Sequence, residues 1–144
     1  MSKKATVYLT DKSLDIIGNA DSMAGRINSI LERYAMIYHG AMPTLTEGEW
    51  MAICDANNPG QDITGAPWSS TVLWANVADS GPDGIDEKWG IKHADMAARI
   101  RAMPMASQVA IHEVVRSFWA SPELNSLPTR ELLEKSGARI GGET

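Results

Sequence analysis

Residues 4–10 read Lys-Ala-Thr-Val-Tyr-Leu-Thr, and no second strand follows them within hairpin reach. Ala5, Val7 and Leu9 fall on one face, and Lys4, Thr6, Tyr8 and Thr10 on the other. A period of two is the mark of a half-buried strand. A strand without a neighbour leaves its backbone N–H and C=O groups unpaired. The simplest partner is the same strand from a second copy. The segment therefore predicts a homodimer with a two-stranded ribbon, whose outer face carries Lys4, Thr6 and Tyr8. A ribbon of that width fits the major groove of DNA.

Two helices follow. Thr10 is placed to cap a short helix over 11–17, with Asp11 near its positive end. Leu14 and Ile17, three apart, share a face. Gly18-Asn19 is a stop signal, because both residues tolerate positive φ. Ser22 offers a second N-cap. Ile27, Ile30, Leu31, Tyr34, Ile37 and Tyr38 then recur at spacings of three and four, which predicts an amphipathic helix to about His39. Gly25 costs that helix roughly 1 kcal/mol relative to alanine.

Residues 4–38 resemble the ribbon-helix-helix (MetJ/Arc) superfamily of DNA-binding proteins. The likeness covers about a quarter of the chain. It rests on the strand at 4–10, the opening Thr10-Asp11-Lys12-Ser13-Leu14 and the segment Ser22-Met23-Ala24-Gly25-Arg26-Ile27. The resemblance implies that Lys4, Thr6 and Tyr8 read bases. It also implies that Ser22, with the amides of Met23 and Ala24, holds a phosphate at the start of the second helix. Two features depart from the family. The first helix and its turn are several residues shorter, and Asp21 sets a negative charge beside the phosphate site.

The net charge of −5 argues against a generally basic nucleic-acid coat. Its distribution is uneven: residues 1–44 carry +1 and residues 45–144 carry −6. The positive lean sits at Lys3 and Lys4, where the ribbon meets phosphates. So small a footprint calls for a dimer, or for several dimers side by side on DNA. Hydrophobic content of 44% supports a packed core and excludes wholesale disorder. The single cysteine, Cys54, excludes an intramolecular disulfide framework and suits a reducing cytoplasm. On a helical face beside Ile53 it reads as a buried, inert thiol. No apolar run is long enough to cross a membrane, and no signal-peptide pattern opens the chain.

Gly40-Ala41-Met42-Pro43 breaks the long helix, so the expected domains are 1–40 and 41–144. Thr46-Glu47-Gly48-Glu49 is a capping-box pattern, opening a helix that carries Trp50, Ile53, Cys54 and Asn57. Further helices are expected over 69–79, 92–103, 105–120 and 129–136, with another start at Ser121-Pro122 and a frayed tail at 138–144. The expected fold class is thus mostly α: a ribbon-helix-helix followed by an all-helical domain without strands. Trp50, Trp68, Trp74, Trp89 and Trp119 sit on separate segments. Core anchoring, with the indole N–H bonded nearby, is one reading. For the loop residues Trp68 and Trp89, lining a ligand or partner surface is the other.

Catalytic patterns are missing from the sequence. His39, His93 and His112 are far apart, and none stands at metal-ligand spacing with another His or Cys. Asp86-Glu87 reads as a solvated acidic pair. The segment 81–84 lacks the lysine and the helix entry of a phosphate loop. The expectation is a protein without enzymatic activity, metal or cofactor. Its expected role is a cytoplasmic, dimeric, sequence-specific transcriptional repressor on double-stranded DNA. The resemblance implies regulation of its own operon. The helical domain then joins dimers on adjacent half-sites or binds a second protein. The competing class is a structural or interaction module, or an antitoxin whose helical domain binds a toxin.

Overall fold

The computed structural model describes residues 8–18, 22–58, 70–80 and 88–142. In chain order their elements are α1 (Asp11–Ile17), α2 (Met23–Gly40), β1 (Thr44–Leu45), α3 (Glu47–Ala56), α4 (Ser70–Asp79), α5 (His93–Ala102), α6 (Met105–Ala120), α7 (Thr129–Lys135) and β2 (Arg139–Ile140). The architecture is mostly helical, with one small parallel sheet of two strands. The chain divides into two compact units, Met1–Ile37 and Tyr38–Thr144.

In the first unit, α1 forms where the cap residues dictate. Thr10 is extended, with φ −73° and ψ 162°, and its hydroxyl accepts the Ser13 N–H at 3.1 Å. Gly18 closes the helix at φ +67°, and its N–H reaches the Leu14 carbonyl. Ser22 opens α2 by accepting the Gly25 N–H at 3.1 Å. A Cβ on residue 25 would lie 3.3 Å from that hydroxyl, so glycine leaves room for the cap. The Arg26 Nε donates to the Ile17 carbonyl at 3.1 Å and ties the end of α1 to the start of α2. Burial here is slight. Ile17 is buried, Leu14 is exposed, and no residue of α2 is buried at all.

The second unit has a conventional core. Thr46 and Glu49 form the full capping box and start α3. Trp50, Ile53 and Cys54 then turn inward with no exposed surface. Leu73 and Val77 of α4, Met96 and Ile100 of α5, and Ile111, Val114 and Val115 of α6 meet them, with Leu132 and Leu133 of α7 completing the cluster. Asn57 ends α3 and stays inside because its amide is satisfied. It donates to the Ile53 carbonyl at 2.9 Å and accepts from Asn76 at 2.8 Å. Pro104 separates α5 from α6, and Gly137, at φ +102°, ends the turn after α7.

Three expectations need correction. The C-terminal domain is not all-helical, because Thr44–Leu45 pairs in parallel with Arg139–Ile140. The residues 138–142 are therefore not a frayed tail. Ala138 is buried, Gly141 N–H reaches the Leu45 carbonyl at 3.0 Å, and the Trp50 indole N–H reaches the Arg139 carbonyl at 3.0 Å. Ser121-Pro122 opens hydrogen-bonded turns over 122–126 rather than a helix, since the few residues before Pro128 leave no room to propagate one.

Candidate nucleic-acid interface

Of the residues expected to meet DNA, Lys3, Lys4 and Thr6 lie outside the described residues; of the expected strand only 8–10 are described, and they are not in a strand. At its described end, Tyr8 is 96% exposed. Leu9, its neighbour, lines an apolar groove with Ile16, Ile17, Ile27, Ile30 and Leu31. The groove is open, with a volume of about 220 Å³.

Ser22, Met23 and Ala24 stand together at the first turn of α2. Met23 and Ala24 are exposed, and no acidic residue lies within the helix's first turn. The Ser22 hydroxyl is engaged by Gly25, and the Ser22 carbonyl accepts the Arg26 N–H at 3.0 Å. Asp21 lies outside the described residues. Arg26, for which the sequence suggests no separate role, positions this turn through its bond to the Ile17 carbonyl. No sequence motif marks such a side-chain-to-carbonyl contact.

An apolar stripe runs along α2 beyond this turn. Leu31 is 57% exposed and Ile37 61% exposed, and Tyr34 lies on the same stripe of α2. An apolar stripe of that length is expensive in water, at about 25 cal/mol per Å² of exposed apolar area.

The second unit offers no comparable chemistry among the described residues. No group of three His, Cys, Asp or Glu residues could hold a metal ion. Cys54 is fully buried, and burial, with the nearby Asp55 charge, pushes its thiol well above the ordinary range. A thiol held neutral is a poor nucleophile. Three indoles behave as core anchors: Trp50 bonds to Arg139, Trp119 to the Cys54 carbonyl at 2.9 Å, and Trp89 to Asp55 Oδ2 at 2.8 Å. Trp68 lies outside the described residues. A polar hollow of about 360 Å³ sits at the ends of α6 and α7, lined by Arg116, Ser121, Glu123 and Lys135. Its cations are already paired, Lys135 with Glu123 and Arg116 with Glu113. No helix among the described residues is long and apolar enough to cross a membrane.

No protein-family model, curated protein or solved structure matches the chain.

Proposed function

We propose that this chain is a dimeric, sequence-specific DNA-binding protein of ribbon-helix-helix type, acting as a transcriptional repressor on the promoter of its own operon. The observation that carries the reading is α2. Its apolar stripe follows a clean helical period, yet it buries no residue within one chain. A second copy that contributes its own α1 and α2 covers the stripe, and it also supplies the missing neighbour for the strand at 4–10. The ribbon then presents Lys4, Thr6 and Tyr8 to base edges. Ser22 and the amides of Met23 and Ala24 face the phosphates.

The test combines sedimentation with selection of bound sequences from a random DNA pool. The expected result is a dimer that enriches one motif and whose affinity falls steeply with salt. Tyr8→Ala is expected to weaken binding to that motif by about 1–3 kcal/mol while the protein stays folded, because Tyr8 covers nothing. A dimer that binds no DNA even at low salt would refute this reading and leave an interaction module.

A further inference from the structure

We infer that residues 138–142 form a strap that holds the turn at 38–42 and β1 within the second unit, and that glycine at 141 lets the strap close without displacing the Thr44 methyl. The inference is independent of whether the chain binds DNA.

The base of α2 runs through a short turn into β1. The N–H of Ala41 reaches the Tyr38 carbonyl, and Met42 N–H reaches the His39 carbonyl. Both of these bonds are long, at 3.3 and 3.4 Å. The strap holds it from outside. Arg139 donates from Nη1 to the Met42 carbonyl at 3.1 Å, and the backbone of Arg139–Ile140 pairs with Thr44–Leu45. Gly137 and Arg139 line one small hollow together with His39 and Met42, so the strap lies against the last turn of α2. The Trp50 indole anchors the strap's own carbonyl from the core side.

The fit at residue 141 is tight. A Cβ there would lie 2.6 Å from Cγ2 of Thr44, the one atom within 4 Å among the described residues other than its chain neighbours. That separation is far inside van der Waals contact, so the Thr44 side chain has to leave the χ1 rotamer it holds for any larger residue to fit. Residue 141 does not have a positive φ, so glycine serves clearance there and not backbone freedom. Gly142, at φ +74°, then turns the chain away. The Thr44 methyl thus sets how closely the strap can seat.

The experiment uses the full chain. Amide exchange at residue 141, whose N–H bonds to Leu45, reports the strap directly. In Gly141→Ala that amide is expected to exchange at least about tenfold faster, with α3–α7 still protected. Adding Thr44→Ser removes Cγ2 and is expected to restore slow exchange. Thr44→Ser alone should behave like the parent. Unchanged exchange in Gly141→Ala overturns the inference. So does failure of Thr44→Ser to rescue it. Loss of protection throughout α3–α7 also overturns it, since residues 138–142 would then belong to the core rather than act as a separable strap.

Discussion

Thr46 and Glu49 each satisfy a backbone N–H that the other's position leaves free, and Arg99 pairs with the Glu49 carboxylate from α5. Burial alone would push the Glu49 carboxyl up. The Thr46 N–H and the Arg99 guanidinium outweigh it, and the group sits below its usual value of 4.5. The folded-state value lies below the unfolded one, so the stabilisation is complete above the unfolded value and is lost as pH falls through the lowered one. Acid titration of stability, followed by urea denaturation, is expected to show this loss below about pH 4.5. Glu49→Gln should flatten that limb. At neutral pH, Thr46→Ala is expected to cost about 1 kcal/mol. The box was legible because its two residues stand three apart on one short stretch. Arg99 was not, since it comes from fifty positions away and spacing says nothing about such a partner.

At the scale of elements, helices were easy to read and the strands of the small sheet were not. α6 carries its apolar residues at spacings of three and four over four turns, which no strand could share. β1 and β2 have two residues each, too few to display any period. α2 lies between these cases. Its stripe is plain from the sequence, but periodicity shows that a face is apolar and not what covers it. Under the dimer reading, Leu31→Ala is expected to weaken self-association by about 2 kcal/mol. Leu31→Lys should leave α3–α7 intact while residues 8–37 lose helix. Analytical ultracentrifugation over a concentration series, with circular dichroism alongside, checks both. A Leu31→Lys chain that sediments as a dimer would show that this stripe is not the interface.

For the whole molecule, the break at Gly40–Pro43 was visible as a cluster of helix breakers, whereas the compact units change over between Ile37 and Tyr38. The difference is physical. Tyr38 packs against the core of the second unit, and Met42 is buried in it. Apolar residues inside a breaker cluster read as linker until their contacts are known. A fragment of residues 38–144 is therefore expected to fold cooperatively by itself. One that begins at residue 45 should be less stable by about 2–5 kcal/mol, having lost the Met42 side chain and Thr44 from β1. Thermal unfolding of the two fragments measures this. Equal stability would mean that residues 38–44 add nothing to the core.

The small sheet also sets an order of events during synthesis. Met42 and Arg139 are 97 positions apart, and Trp50 and Arg139 are 89 apart. At roughly 5–20 residues per second, translation delivers Arg139 several seconds after β1 has left the ribosome. Until then the Trp50 indole has no carbonyl to meet, and the edge of Thr44–Leu45 stays open. The helices α3–α6 can assemble from nearer neighbours in that interval, so the sheet closes onto helices that are already in place.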